Sequence, residues 1–363
     1  MSSKYKTHNW AFLVTFACNK TLKNYLITML IYYETKVKDL PITKEIFDKF
    51  WDSEKIEIQH YKNLFDIKIW QYTTEPFIIL AKQEHIAILP TPKNYWFPWK
   101  SFFFKPSLNC FFRCKYCYLQ WTFKNRFPVF FLNYEDMQKE ILNQINKERE
   151  KWFNNQITFY ASNYADLLAT EDISHFHKTF LPFCETLPEN VIIETRTKSA
   201  NITSLLDYAK NLKWKSPTSK MEIAFSLSPR EIAQDYELWT ATLDQKLNAI
   251  KQLLEKGFRV WIRFLPLLPV QNFREKYSIF LDEITSTLPI EKVSSITIAP
   301  LIFNEWDYNV LIKKYKDDSD FSFISHLKKN NHNLRTCSDE EINIFKNLFE
   351  ERFKWSNIFC DYI

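Results

Sequence analysis

Glycine is all but missing. It occurs once in 363 residues, at Gly257, where ordinary usage of roughly 7% would give about 25. A P-loop, a GxGxxG dinucleotide turn and a GxSxG nucleophile elbow are therefore excluded, as are collagen-like and Gly/Ser low-complexity chains. Long hydrophobic runs are missing too. Trp10–Cys18 and Tyr25–Tyr33 are separated by Lys20 and Lys23, and each is too short to span a bilayer. The first residues lack the charged region, apolar stretch and small-residue cleavage site of a secretory signal. The expectation is a protein with no membrane span, in a cytoplasmic, reducing location. The seven cysteines then serve as ligands or buried thiols rather than disulfides. A strong charge of either sign is also lacking. The net charge of +5 permits a polyanionic partner without demanding one.

What is present suffices for a large core, with 46% hydrophobic and 17% aromatic residues. The middle of the chain alternates strands and helices. Strands are expected at Phe102–Lys105, Gln156–Ala161, Asn190–Lys198, Lys220–Leu227, Phe258–Leu265 and Val293–Ile302. The helices between them are expected at Tyr134–Lys151, Ile173–Leu187, Ile202–Leu212, Leu243–Lys256 and Phe273–Leu288. In the fourth helix Leu243, Leu247, Ile250, Leu253 and Leu254 form one apolar face. Gly257 stands just past its end, where a left-handed cap residue belongs. Six βα-type units imply an α/β fold of parallel strands with helices outside, as an open sheet or a partial barrel. Residues 1–98 read as a small N-terminal α/β lobe, with strands at Met29–Glu34 and Lys55–Gln59, a helix at Lys44–Trp51, and Thr91–Trp99 as linker. Residues 99–305 carry the βα units, and 306–363 form a helical C-terminal appendage.

The strongest chemical signal is Cys110-Phe-Phe-Arg-Cys114-Lys-Tyr-Cys117. Three cysteines within eight residues, after a strand and before a helix, suit thiolate ligation of an iron–sulfur cluster. A four-iron cubane held by three thiolates keeps one iron open for the amine and carboxylate of S-adenosylmethionine. Reductive cleavage of that sulfonium releases a 5′-deoxyadenosyl radical, chemistry that belongs to the cofactor while the protein places it and excludes water. Inert core cysteines or a zinc site are the other readings, although zinc wants four ligands and no paired Cys or His follows at its spacings.

The run SLNCFFRCKYCYLQ resembles the cluster loop of radical SAM enzymes, and the spore photoproduct lyase family in particular. MLIYYETKVKDLPITKEI, IEIQHYKNLF, ETRTKSANI, FSLSP with WTATLDQKLNAI, GFRVWIRFLPLLP and ITIAPLIF resemble that family in order, over roughly residues 27–305. The resemblance implies a partial (β/α)6 radical SAM barrel with its cofactors at the C-terminal ends of the strands. It implies that Cys110, Cys114 and Cys117 ligate a [4Fe-4S] cluster. Lys198, Ser226, Ser162 and Asn163 would contact S-adenosylmethionine, and Tyr116 and Tyr118 would place that cofactor or relay a hydrogen atom. It also implies DNA lesion repair on a nucleic-acid base, and an electron donor such as flavodoxin or ferredoxin.

The chain departs from the family in two places. The family carries a hydrogen-donor cysteine after the second strand; here Phe159-Tyr160-Ala161-Ser162-Asn163 has none, and Tyr160 takes its position. Cys184, farther along, reads as a buried helix thiol. A glycine-rich segment is also replaced, by Tyr164-Ala165-Asp166, with Asn163 as the expected residue of left-handed conformation. A peptide, protein or RNA substrate is therefore an alternative, and a non-catalytic iron–sulfur or zinc module is another. Candidate phosphate contacts are Lys124, Arg126, Lys313, Lys314, Lys328 and Lys329, with Trp121 and Phe123 for base stacking. His175 and His177 are expected to face solvent. One of the alternating pairs Glu194/Arg196 and Thr195/Thr197 should point into the barrel.

Overall fold

The computed structural model describes residues 29–65, 77–92, 99–123, 127–148, 155–212, 220–353 and 358–360. Six parallel strands form the main sheet: β1 (Lys100–Phe103), β2 (Ile157–Tyr160), β3 (Val191–Thr197), β4 (Met221–Ser226), β5 (Arg259–Leu267) and β6 (Ser295–Pro300). They follow one another in sequence order across the sheet, as expected of consecutive right-handed crossovers. Leu89–Pro90 adds antiparallel to β1, and Ile358–Cys360 adds parallel to β6. The crossover helices are α1 (Tyr134–Glu148), α2 (Phe176–Glu185), α3 (Thr203–Asn211), α4 (Leu243–Glu255) and α5 (Phe273–Thr287). Beyond β6 follow α6 (Glu305–Tyr315) and α7 (Asp339–Glu350). Among the described residues no helix is long and apolar enough to cross a membrane.

Side-chain alternation along each strand divides two environments. Phe102, Phe159, Ile193, Phe225, Ile262 and Ile298 face the helices within one continuous core. Tyr160, Glu194, Arg196, Trp261 and Arg263 face the other way, into the lumen. There Arg196 Nε lies 2.8 Å from Glu194 Oε1, Arg263 also pairs with Glu194, and the Arg196 guanidinium lies 4.9 Å from the Tyr160 ring centre. The inward pair is thus Glu194/Arg196, and Thr195 and Thr197 face the helix layer.

α4 shows how the local sequence fixes an element. Thr242 and Gln245 form a reciprocal capping box at its start. At its end Gly257 has φ 78°, the Phe258 amide donates to the Leu253 carbonyl (3.0 Å) and the Gly257 amide to Leu254 (3.1 Å). This is a Schellman cap, so the only glycine sits where a positive φ is required.

Two expectations are corrected. The single helix Ile173–Leu187 is two, Glu171–Ser174 and α2, broken at His175 in left-handed conformation (φ 49°). His177 is fully buried, not solvent-facing: its Nδ1 lies 2.7 Å from Glu171 Oε2 and its Nε2 3.1 Å from Thr195 Oγ1. It joins the start of α2 to β3. His175 is half-buried, 3.0 Å from Glu45.

The N-terminal sheet holds four parallel strands in the order Glu54–Ile58, Leu30–Glu34, Phe77–Ala81, Val129–Phe131. Ser107–Leu108 joins antiparallel at its edge. The cysteine segment therefore leaves the main sheet at Phe103, is pinned to the N-terminal sheet at Ser107–Leu108, and returns across the mouth of the main sheet.

Candidate functional site

The cysteine loop has three anchors. Its entrance turns at Asn109, whose φ of 67° is left-handed and whose buried Nδ2 donates to the Phe127 carbonyl at 2.7 Å. Its middle, Arg113–Cys114, pairs antiparallel with Glu237–Leu238, and the Lys115 amide donates to the Tyr236 carbonyl at 2.7 Å. Its exit is the short helix Leu119–Thr122, where Trp121 Nε1 donates to Asp307 at 2.6 Å and Gln120 meets Lys314 and Tyr315 of α6.

Cys114 is buried, while Cys110 and Cys117 are half-buried. The thiols lie within electrostatic reach of one another. Burial pushes Cys110 up to about 12, with Asp166 and Cys117 adding to the rise. Burial raises Cys114 and Cys117 as well, and the Lys198 ammonium opposes the rise in both. Backbone amides of Phe112 and Asp166 point at the Cys110 sulfur, and that of Leu119 at Cys117. The side chains do not converge on one point. Among the described residues no three His, Cys, Asp or Glu side chains surround a common metal position, and the cavity beside Cys110 and Cys117 is only about 10 Å³. The donor set nonetheless fits a thiolate-bound cluster: three soft ligands, amide donors aimed at sulfur, and a buried cation to offset negative charge.

On one side of the loop stands a buried ionic group centred on Glu237. Its Oε1 accepts from Lys198 Nζ (2.9 Å), Ser228 Oγ (2.7 Å) and Tyr116 Oη (2.5 Å). Lys246 Nζ lies 3.8 Å from Oε2 and donates to the Ser226 carbonyl at 3.3 Å. Burial works against the Glu237 charge, but the two lysines and the hydroxyl donors outweigh it and hold the carboxyl at about 2. Burial brings Lys246 down to about 8. Lys198 stays above its ordinary value because Glu237 and the neighbouring thiols outweigh its burial. Tyr116 is driven well up by burial and by Glu237.

On the other side, just past β2, the expected contacts Ser162 and Asn163 each present a buried polar atom, Oγ and Oδ1, with no hydrogen-bond partner among the described residues. Tyr118 is 39% exposed and donates its hydroxyl to the Asn163 carbonyl at 2.7 Å. Tyr160 is buried and accepts from Trp99 Nε1 at 3.4 Å; burial and Glu194 raise its phenol. Asn163 is not in left-handed conformation. Among described residues other than glycine, positive φ belongs to Asn109, His175, Trp239, Asn272 and Asn333, so none lies in the segment 162–166, and Asn109 is the left-handed residue of the cysteine loop.

The structure thus gathers Cys110, Cys114, Cys117, Tyr116, Tyr118, Lys198, Ser162 and Asn163 around one loop at the C-terminal ends of β2 and β3, with Tyr160 below in the lumen. Ser226 ends β4, its carbonyl on Lys246. Of the nucleic-acid candidates, Lys313 and Lys314 are in the last turn of α6, and Lys328 and Lys329 lie on a short hairpin with Arg335–Thr336. Trp121 and Phe123 are half-buried, Phe123 against Tyr164. Lys124 and Arg126 lie outside the described residues.

Glu237, Lys246, Ser228 and Asp166 were not singled out in the sequence. Asp166 is buried and accepts from the Ala169 and Lys198 amides and from Thr197 Oγ1. Lys246 left a readable trace: it sits three residues after Leu243 and four before Ile250, a charge on the apolar face of α4. Glu237 left none, since its partners Lys198 and Tyr116 are 39 and 121 residues away and nothing in its own segment marks it.

The spore photoproduct lyase family model matches residues 26–319. Spore photoproduct lyase of Bacillus subtilis (strain 168) is 21% identical over 285 residues, 76% of this chain and 78% of that protein. The namesake from Geobacillus sp. (strain Y412MC61) is 19% identical over 280 residues, 75% of this chain and 77% of that one. Among solved structures, a spore photoproduct lyase mutant with bound AdoMet and dinucleoside spore photoproduct superposes with a TM-score of 0.74. It is 17% identical, over 93% of this chain and 99% of the other. Spore photoproduct lyase complexed with dinucleoside spore photoproduct gives 0.73 at 16% identity, covering 93% and 98%. At such identities the likeness is one of fold, and that fold is the partial radical SAM barrel.

Proposed function

Because the chain belongs to the spore photoproduct lyase family, a family of radical SAM lyases, we propose that it binds a [4Fe-4S] cluster and S-adenosylmethionine and repairs a lesion on a nucleic-acid base. The observation that carries this reading is the placement, around one three-cysteine loop, of a half-buried lysine and two buried polar atoms that lack partners among the described residues. A buried polar atom without a partner costs about 1–3 kcal/mol, which a ligand with matching donors recovers.

In this reading Cys110, Cys114 and Cys117 hold the cluster, and the amides of Phe112, Asp166 and Leu119 stabilise the bound thiolates. Lys198 meets the carboxylate of S-adenosylmethionine, with Ser226 at the adjoining strand end. Ser162 Oγ and Asn163 Oδ1 take hydrogen bonds on the opposite side. Tyr116 and Tyr118 wall the site, Tyr116 fixed by Glu237 and Tyr118 by the Asn163 carbonyl. When bound, the cofactors would supply a 5′-deoxyadenosyl radical able to take a hydrogen atom from the substrate. Tyr160, in the position of the family's donor cysteine, returns a hydrogen atom to the product carbon. Its O–H bond breaks, a C–H bond forms, and the phenoxyl left behind takes one electron from a flavodoxin- or ferredoxin-class donor and one proton from solvent.

The dinucleoside photoproduct bound by the solved relatives supports a nucleic-acid substrate. A peptide substrate or a non-catalytic module finds no comparable support. The test is anaerobic turnover of the reduced protein with S-adenosylmethionine and a dinucleoside photoproduct. Lesion loss together with 5′-deoxyadenosine formation is expected, and an untouched lesion beside brisk cofactor cleavage would remove the substrate assignment.

A further inference from the structure

We propose that Glu237 is a positioning residue for S-adenosylmethionine: it aims Lys198 at the cysteine loop, and Lys246 keeps it partnered when Lys198 turns to the cofactor's carboxylate. The proposal rests on the cofactor reading above and adds a residue pair to it.

Three observations carry it. First, the segment bearing Glu237 is fastened to both parts that must be brought together. Glu237 is in register with Cys114, and four residues later the Ala241 amide donates to the Lys198 carbonyl at 3.0 Å. Between them Trp239 holds a positive φ of 71° with the Arg113 guanidinium 5.4 Å from its ring centre. A bulky residue in that conformation persists only where its surroundings impose it. Second, the two carboxylate oxygens are unequally loaded. Oε1 takes three donors, whereas Oε2 has, among the described residues, no hydrogen-bond partner and only Lys246 at 3.8 Å. Third, the two lysines differ in access. The Lys198 side chain is 14% exposed and that of Lys246 is 0%, so only Lys198 can reach a ligand. When it does, Tyr116, Ser228 and Lys246 remain on Glu237, and no buried charge is stranded, an outcome that would otherwise be strongly unfavourable.

The experiment compares wild type, Glu237→Gln, Lys198→Met, the double variant of these two, and Glu237→Gln with Lys246→Met, which removes one anion and one cation together. Each is reconstituted anaerobically. Iron content, the dissociation constant for S-adenosylmethionine by equilibrium dialysis, and the reduced-cluster EPR spectrum with and without the cofactor are measured. Glu237→Gln is expected to keep wild-type iron and to bind S-adenosylmethionine about ten- to hundred-fold more weakly, the range for a hydrogen bond to a charged group. Lys198→Met should show the same loss, and the Glu237/Lys198 double variant no more than Lys198→Met alone, because both changes remove one contact. The Glu237/Lys246 variant should match Glu237→Gln, and it is read in its place if the single change prevents folding. Unaltered cofactor affinity in the Glu237 variants, or losses that multiply in the double variant, overturns the proposal. Iron-loaded wild type that fails to bind S-adenosylmethionine overturns instead the cofactor reading on which it rests.

Discussion

The two flanks of the cysteine loop are finished to different degrees. On the Lys198 flank the protein largely satisfies itself: one oxygen of a buried carboxylate takes Lys198, a serine and a tyrosine, and the other has Lys246 at 3.8 Å. On the Tyr160 flank, Ser162 and Asn163 each bury a polar atom that finds no hydrogen-bond partner among the described residues. Satisfied buried networks rigidify, whereas unsatisfied groups cost stability and point to something not yet in place. In the proposed reading the first flank is largely set before the cofactor arrives, and the second is completed by it. The loop between them, fastened at Asn109, Cys114 and Trp121, is the shared edge.

The sharpest way to break this comparison is to remove the edge itself. Cys114→Ala should abolish iron retention and all 5′-deoxyadenosine formation, checked by iron assay and product chromatography; turnover surviving in that variant contradicts the ligand assignment. Next in size is Lys198→Met, expected to lower kcat/KM for S-adenosylmethionine by about a hundred-fold, as for a lost charged contact of roughly 2–3 kcal/mol. Ser162→Ala sharpens the contrast between flanks because it should act in two directions. The cofactor-free protein should gain about 1 kcal/mol in denaturant unfolding, since a buried unpaired hydroxyl is removed, while cofactor affinity drops about five-fold. If Ser162→Ala destabilises the cofactor-free protein, the second flank is not waiting for a ligand. The smallest effect belongs far from both flanks. Gly257→Ala should cost about 1 kcal/mol of stability through its left-handed cap and leave cofactor binding unchanged.

The alternation of strands and helices was legible because each strand is a buried β-branched or aromatic run and each helix keeps one apolar face. Boundaries differ by one to a few residues, as with Phe102–Lys105 against Lys100–Phe103. Shorter elements escaped. Ser107–Leu108, Val129–Phe131 and Arg113–Cys114 are two or three residues long, too brief for any period to show. The break at His175 escaped because residues other than glycine take a left-handed conformation only in a few per cent of cases. At the site, the cysteine spacing and the segment around Lys198 were visible as local strings. The Glu237 group was not, because it unites residues 116, 198, 228, 237 and 246 by tertiary contact alone. Scarcity of glycine misdirected one expectation, since the left-handed residue is Asn109, before the first cysteine, and not Asn163.

The central claim is that three thiolates leave one iron open to S-adenosylmethionine. It is met most directly by electron–nuclear double resonance on the reduced protein, using cofactor labelled with ¹⁵N at the amine and ¹⁷O at the carboxylate. Hyperfine coupling from both labels, present in wild type and lost in Lys198→Met at cofactor concentrations that saturate wild type, is the predicted result. A spectrum without coupling from either label, in protein whose cluster carries a fourth ligand from the chain itself, contradicts it.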